Sequence, residues 1–239
     1  VIDEAHHLEQ IATAVFETAV TDFTVEQLLA RAVLKEHVAE EDLEELRALN
    51  LFAFQEAANQ SRDNAFQLQG DLAAMAKLAA TVAKLGVWLK QHNPYTPAIE
   101  LAARSKERPD GETVEKNRFY ELTVEVVNST AGKLQRVATS RDDTNMVRYA
   151  VRLFERRHVT LELHAAPIDP SALLTKFLFH PLDDNDAPVE RTVICTSATL
   201  ATSGIADNFK ARCGIGETGV ERVLPAVFNY PEQALLYQP

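Results

Sequence analysis

The chain has 239 residues, of which 46% are hydrophobic and 25% are charged, and its formal net charge at pH 7 is −11. This composition is that of an ordinary globular protein and excludes an intrinsically disordered chain. The length suits one large domain or two of modest size. The acidic charge argues against a simple nucleic-acid-binding domain, because phosphate backbones attract Lys and Arg. The charges are unevenly distributed, however, so the net charge alone does not exclude DNA or RNA.

The first residues, Val1-Ile2, form a short apolar run that is typical of a strand and ends at two acidic residues. Because the chain begins inside this run and not with Met, we expect it to be a piece of a longer protein. The next 130 or so residues have a different pattern, in which apolar side chains recur every three or four positions.

This spacing predicts a helical bundle. One apolar stripe runs through 25–33, and another follows an acidic run at 40–45, where carboxylates suit the positive end of a helix. A further helix is predicted around 119–137, and Pro and Gly residues predict a long connection over 91–113. Between them lies a heptad-like seam consisting of Leu68, Leu72, Met75, Ala79, Val82, Gly86 and Leu89.

Strands are predicted after residue 144, where the apolar period changes from helical to alternating. The segments 147–153 and 159–163 alternate apolar and polar residues, with a turn at 155–157 between them. Val193–Ser197 is a short apolar run typical of a buried parallel strand, and Ala234–Tyr237 is a last strand-like run. The pattern predicts an α/β domain interrupted by a helical insertion.

No run of residues is apolar enough to span a membrane. The best candidate, 72–89, contains Lys77 and Lys84. The cysteines Cys195 and Cys213 have neither the spacing of a metal site nor that of a disulfide framework. We therefore expect a cytoplasmic protein without a membrane partner.

The residues Asp3-Glu4-Ala5-His6 place two carboxylates and an imidazole directly after the first apolar run. Open α/β sheets bind ligands at the carboxyl ends of their strands. In NTP hydrolysis one such carboxylate holds Mg²⁺, usually through water, and its neighbour polarises the attacking water. An Asp-Glu pair more often lies at a helix N-terminus, so the tetrapeptide alone leaves both interpretations open.

A second motif, Thr196-Ser197-Ala198-Thr199, follows the apolar run at 193–195. Small hydroxyl side chains at this position can exchange hydrogen bonds between a nucleotide site and a neighbouring domain. The alternative is an ordinary turn or helix cap. The occurrence of both motifs at strand ends of one chain favours the nucleotide site.

Together the two motifs resemble motifs II and III of superfamily 2 helicases. Most of the chain separates them, and this separation resembles the DinG/XPD family of DNA helicases, in which a helical Arch domain is inserted between the motifs. The segment 3–9 is similar to the family's DEAHNL and DEAHHLE forms, and 166–171 to its Pro-Ile-Asp-x-Ser segment. The segment 228–237 is similar to the beginning of the second motor domain, although Ala226-Val227 replaces the family's Ser-Pro.

The resemblance implies a mixed α/β fold, in which a partial RecA-like parallel sheet is interrupted by a mainly α-helical Arch insertion. Residues 1–10 would form the motif II strand and turn of motor domain 1, and 11–143 the Arch. Residues 144–227 would return to motor domain 1 and include motif III, and 228–239 would begin motor domain 2.

The resemblance also implies an ATP-dependent helicase that moves 5′ to 3′ along single-stranded DNA and acts on single-stranded or forked DNA, with ATP and Mg²⁺ as cofactors. Asp3 would hold Mg²⁺ through water, and Glu4 would be the catalytic base. His6 would link the nucleotide site to the rest of the motor. The motif III residues that would couple hydrolysis to strand separation are Ser197, Ala198 and Thr199.

Two parts of such a motor are missing from the 239 residues. No Gly-x-x-x-x-Gly-Lys-Ser/Thr loop occurs, and neither do the arginine-bearing motifs of the second motor domain. We therefore expect the chain alone to be inactive. Where the family has an iron–sulfur cluster, its cysteines lie between the phosphate loop and DEAH, so a cluster would belong upstream of Val1, and Cys195 and Cys213 would not hold it.

Basic residues are concentrated between 133 and 157, and Arg141 and Arg148 are candidates for contacts with single-stranded DNA. The alternative for this stretch is a solvated or salt-bridged surface. The alternative for the whole chain is a non-catalytic nucleic-acid- or protein-binding module derived from a helicase. A third hypothesis is an RNA helicase with an unusual insertion.

Overall fold

The computed structural model describes residues 1–105, 108–139, 145–154, 159–201, 205–216 and 219–224. Over these ranges the fold is mixed α/β, as expected. A 3₁₀ turn, Ala5–His7, precedes the first helix, and a π-helical turn, Thr175–Phe179, follows the eighth. In chain order the regular elements are α1 (Leu8–Phe16), β1 (Thr18–Thr21), α2 (Asp22–Leu29), α3 (Ala32–His37), α4 (Glu40–Ala58), β2 (Ala65–Gln67), α5 (Ala73–Gln91), α6 (Thr96–Ser105), α7 (Gly111–Ala138), β3 (Met146–Phe154), β4 (Val159–Pro167), α8 (Ser171–Leu174) and α9 (Asp207–Cys213).

The chain divides into two compact units. The smaller unit combines the two ends of the chain, Val1–Phe16 and Asp169–Pro239, and the larger unit is Glu17–Ile168. None of the helices in the described ranges has a stretch long and apolar enough to cross a bilayer.

The larger unit contains a four-stranded antiparallel sheet with the strand order β1-β4-β3-β2. The strands β3 and β4 form a hairpin whose register runs from Met146↔Pro167 to Phe154↔Val159. This confirms the two alternating strands predicted here, while the predicted turn at 155–157 lies outside the described residues. The alternation arises because one face of the hairpin is buried, as at Leu163 and Ala165.

Helices α4, α5 and α7 form the core of the larger unit together with this sheet. All seven residues of the heptad-like seam are buried, as a bundle core requires. Opposite them Tyr120 of α7 is fully buried, and its hydroxyl donates a hydrogen bond to the carbonyl of Leu89 at 2.9 Å. Because the only polar group of that side chain is satisfied, the ring adds apolar burial without leaving an unpaired donor.

A polar network joins β1 to the hairpin. The carboxylate of Glu17 accepts a hydrogen bond from the Tyr149 hydroxyl and is hydrogen-bonded at 2.8 Å to Nδ1 of His164. The rings of Tyr149 and His164 are stacked with centroids 4.5 Å apart. Burial, and then the hydrogen bond to Glu17, raises the pKa of Tyr149 to about 12. The hydroxyl therefore stays protonated and remains a donor at neutral pH.

The helical prediction was wrong in detail at two places. The connection predicted over 91–113 contains α6, because Pro97 occupies the first turn of this helix, where a missing backbone N–H is tolerated. The single stripe predicted over 25–33 is divided between α2 and α3, with an extended residue, Arg31, between them.

The sheet also differs from the one that the resemblance implies. It is antiparallel, and β1 and β2 lie inside the segment that was predicted to be a helical insertion. β1 has four residues and β2 has three, which are too few to show an alternating pattern in the sequence. Because β1 and β2 pair with β4 and β3, all four strands belong to the larger unit, Glu17–Ile168. This unit is longer at both ends than the predicted insertion, 11–143.

Two glycines test the close packing of α5 against α7. A Cβ at Gly86 would overlap Oδ1 of Asn128 and lie 3.3 Å from Cγ1 of Val127, whereas a Cβ at Gly132 would meet no atom within 4 Å. The exposed Asn128 amide can move aside but the buried Val127 has less room, so we expect Gly86→Ala to gain less stability than Gly132→Ala or to lose stability. Gly132→Ala should raise the free energy of unfolding by up to about 1 kcal/mol, because Ala favours a helix interior over Gly. Urea unfolding followed by circular dichroism measures both, and equal stabilisation by the two changes would contradict the packing.

Candidate functional site

Two segments of the smaller unit, from opposite ends of the sequence, lie side by side. Ile2 and Cys195 form a parallel β-bridge. The amide of Ile2 donates to the carbonyl of Ile194 at 2.7 Å, and the amide of Thr196 donates to the carbonyl of Ile2 at 2.9 Å. A third hydrogen bond joins the amide of Ala5 to the carbonyl of Thr196 at 3.0 Å. The two motifs, 193 positions apart, are therefore adjacent, as their pattern predicts.

The bridge is shorter than the predicted strands. Ile2 and Cys195 are single bridge residues, and Ile194 is exposed, so 193–197 does not form the buried strand that its apolar run predicts. The predicted strand at 234–237 lies outside the described residues. In the described part of the smaller unit, one parallel bridge joins the two segments, and the motif side chains follow it directly.

Asp3 is an exposed carboxylate that is held by two donors. Its Oδ1 accepts a hydrogen bond from the hydroxyl of Thr196 at 2.8 Å and from the amide of Glu4 at 3.0 Å. The Thr196 hydroxyl, and after it the Glu4 amide, lowers the pKa of Asp3, because both stabilise the charged form. The side chain therefore presents a fixed negative charge to solvent at neutral pH.

Glu4, His6 and Ser197 form a second group of contacts. Nδ1 of His6 lies 2.8 Å from the hydroxyl oxygen of Ser197 and 3.2 Å from Oε2 of Glu4. The Ser197 hydroxyl donates to the same carboxylate oxygen at 3.3 Å. Ser197 of the second motif thus contacts both Glu4 and His6 of the first motif.

The backbone at Glu4 has an uncommon conformation. Its φ of 50° and ψ of 42° are left-handed, a region that residues other than glycine rarely adopt. Strained residues of this kind cost about 1–3 kcal/mol and persist where the surrounding contacts require them. Here the left-handed residue ends the extended chain at Asp3 and begins the 3₁₀ turn that carries His6.

The remaining motif residues differ in what they contact. The amide of Thr199 donates to the Ser197 hydroxyl oxygen at 3.3 Å, so Thr199 orients the serine. Ala198 is exposed and has no polar side-chain atom. The residue that sequence reasoning missed is Thr196, which was not given a role although its side chain contacts Asp3. Its position directly after the apolar run was the only available signal.

The arrangement can bind water and a hydrated cation more readily than it can hold a bare metal ion. Among the described residues no group of three or more His, Cys, Asp or Glu side chains is placed to hold a metal ion. A single exposed carboxylate suits Mg²⁺ that keeps most of its water ligands. The hydrogen bonds and ion pairs described for the motif side chains involve no Lys or Arg.

The two arginines predicted to contact DNA lie in the larger unit. Arg141 is outside the described residues. Arg148 is 7% exposed, and its guanidinium donates to the carbonyl of Val137 at 2.8 Å and to that of Gly70. Burial lowers the pKa of Arg148, and the charge of Asp71 opposes this shift. The side chain is therefore a structural link between β3, α7 and the turn before α5, and little of Arg148 is exposed for the predicted contact with DNA.

Other basic residues of the 133–157 stretch point to the same structural use. Arg152 donates to the carbonyls of Ala58 at 2.9 Å and Ser61 at 2.6 Å, and it lies over the ring of Phe66 with 5.0 Å to the centroid. Arg136 donates to the hydroxyl of Thr18 at 3.3 Å. Within the described part of this stretch, these three arginines bind the protein itself.

Comparison of the chain with protein-family models found no matching family, and comparison with curated protein sequences found no match either.

The link between Thr196 and Asp3 can be tested by titration. Thr196→Val keeps the shape of the side chain but removes the hydroxyl, so we expect the pKa of Asp3 to rise toward its ordinary value. Thr199→Val, the same change three residues later, should leave that pKa unaltered, because Thr199 does not contact Asp3. NMR titration of the Asp3 carboxyl carbon measures both, and an unchanged pKa in Thr196→Val would contradict the contact.

Arg148 can be tested by stability. Arg148→Met keeps much of the side-chain volume but leaves the carbonyl of the buried Val137 and that of the exposed Gly70 without this donor, so we expect the free energy of unfolding to fall by about 1–3 kcal/mol. Arg118→Met, at an exposed position of α7, is the control and should change it by less than about 0.5 kcal/mol. Chemical denaturation gives both values. Equal stability of the two variants would show that the buried guanidinium has no structural role.

Proposed function

We propose that this chain supplies the magnesium- and water-binding part of the ATP site of a DinG/XPD-type DNA helicase. The observation that supports this most is the adjacency of Asp3, Glu4 and His6 to Ser197 and Thr199. Two motifs that resemble helicase motifs II and III would be in contact in such a motor, and they are in contact here. The parallel bridge between Ile2 and Cys195 would belong to the RecA-like sheet of motor domain 1.

In this proposal the two carboxylates have different tasks. Asp3, whose charge is stabilised by Thr196 and by the Glu4 amide, would hold Mg²⁺ through water. Bound Mg²⁺ would neutralise charge on the phosphates during transfer. Glu4 accepts the proton of the attacking water. Its Oε2 accepts a hydrogen bond from Ser197, so protonation of Glu4 during hydrolysis would alter a contact with motif III.

His6 is the second connection between the motifs. Its Nδ1 faces both Glu4 and Ser197, so it can exchange one partner for the other without a large movement. We propose that Ser197 and His6 transmit the state of the nucleotide to strand separation, while Thr199 holds the serine in place. The larger unit, Glu17–Ile168, would then be the domain inserted between the motifs.

A non-catalytic protein-binding module is the second candidate. It is favoured by the acidic net charge and by the burial of Arg148, whose guanidinium donates to backbone carbonyls of the protein itself. The two candidates differ in one sequence feature of the intact protein. A motor requires a phosphate-binding loop before this segment and an arginine-bearing motif after it, whereas a module requires neither.

The motor proposal predicts a specific loss in the intact protein. We expect Glu4→Gln to reduce DNA-stimulated ATP hydrolysis by roughly 10²–10⁴-fold, the range typical of a general base, with little change in ATP affinity. Glu190→Gln, at an exposed acidic position, is the matched control and should have no effect. Undiminished hydrolysis in Glu4→Gln would refute the assignment. Stimulation by RNA in preference to DNA would favour the RNA-helicase hypothesis.

The isolated 239-residue chain should neither hydrolyse ATP nor bind it tightly, because its sequence contains no phosphate-binding loop. A sensitive phosphate-release assay and calorimetric titration with Mg²⁺–ATP test this directly. Turnover by the chain that disappears in Glu4→Gln would show that the loop is dispensable and would contradict the division of the site proposed here.

A further inference from the structure

A surface groove in the larger unit is separate from the residues discussed so far. It is formed by α2, α4 and the beginning of β4, and it is open to solvent with a volume of about 340 Å³. Its apolar walls are Phe23, Leu51, Phe54, Val159 and Leu161. Three of these remain accessible, because Phe23 is 47%, Leu51 58% and Val159 53% exposed. Large apolar side chains gathered at an open surface are typical of an interaction site.

The rim of this groove is acidic. Asp22, Glu26 and Arg47 line it. The guanidinium of Arg47 lies 3.7 Å from Glu26, 3.0 Å from Glu40 and 2.5 Å from Glu44. Three carboxylates thus surround Arg47, and with Asp22 the formal charge of this group of described residues is negative.

A buried polar group without a partner belongs to the same groove. Asn50 lines it and is 5% exposed. The side-chain amide donates to the carbonyl of Asp22 at 2.8 Å, but its Oδ1 has no hydrogen-bond partner among the described residues. Because this oxygen is itself buried, an occupant of the groove would not reach it, and Asn50 only lines the groove.

We propose that this groove binds a basic amphipathic segment of a partner protein. One apolar side chain of the segment would insert between Phe23, Leu51 and Val159, and Lys or Arg side chains would face Asp22 and Glu26. The negative rim repels phosphates, which argues against a nucleic acid as the occupant. The open shape and the exposed aromatic and aliphatic walls suit the side of a helix.

The test uses the full chain and a short synthetic helical peptide of Leu and Lys, with a Leu and Glu peptide of the same pattern as the comparison. We expect the Leu–Lys peptide to bind and to shift the NMR signals of the Leu51, Val159 and Leu161 methyl groups. Its affinity should fall as salt is added, because part of the attraction is between exposed charges. The Leu–Glu peptide should not bind.

Two pairs of variants separate the apolar from the electrostatic part. Leu51→Ser should weaken binding by about tenfold or more, because it removes an apolar wall of the groove. Leu101→Ser, at a Leu that is 69% exposed on α6, is the control and should leave the affinity unchanged. Glu26→Gln should reduce both the affinity and its dependence on salt, while Glu115→Gln, at an exposed position of α7, should alter neither.

Several results would overturn the proposal. Binding of the Leu–Lys peptide that is insensitive to Leu51→Ser, or equal binding of the Leu–Glu peptide, would show that the groove does not select a basic segment. Methyl shifts at Leu51 and Val159 caused by an oligothymidylate would identify a nucleic-acid site. A dimer in sedimentation that Leu51→Ser dissociates would mean that a second copy of the chain covers the groove.

Discussion

The backbone hydrogen bonds between Ile2, Ala5 and residues 194–196 are the constraint on which the candidate site depends. They fix two segments that are distant in the sequence, and every side-chain contact between the motifs follows from them. The larger unit makes this pairing compatible with a long intervening chain. Its first strand pairs with its last, Thr18 opposite Ala165, so this unit starts and ends at neighbouring points. A compact unit with adjacent ends can be inserted into a loop without pulling the flanking strands apart.

Within the site, two consecutive carboxylates have different surroundings, as the proposed division of tasks between them requires. Asp3 accepts hydrogen bonds from donors that keep it charged, whereas Glu4 shares Oε2 with the hydroxyl of Ser197 and faces the imidazole of His6. The left-handed backbone at Glu4 lies between the extended chain at Asp3 and the turn that carries His6. Neighbouring residues on a regular strand would point to opposite faces, but they would not bring His6 back to the serine.

In the larger unit, arginines that the sequence groups into a basic stretch form hydrogen bonds within the protein. Arginines that look like a DNA-binding stretch bind carbonyl groups of loops and helices, because an open turn has unpaired carbonyls and a guanidinium offers five donors in one plane. The acidic residues of α4 remain at the surface instead, around Arg47 and the apolar groove. This distribution favours a protein partner over a phosphate backbone for that face of the unit.

The sequence by itself determined the elements with strong local patterns. The long helices α4, α5 and α7 and the hairpin of β3 and β4 follow from apolar periods that one-sided burial imposes. The resemblance of the DEAH and Thr-Ser-Ala-Thr segments to motifs II and III, and their place after apolar runs, implies that they are adjacent. Only the tertiary structure decided that Thr196 holds Asp3, that Arg148 is buried, and that the sheet is antiparallel with two short strands from the inserted segment. These depend on contacts between residues far apart in the chain, and no local pattern records which distant carbonyl, carboxylate or strand a side chain will meet.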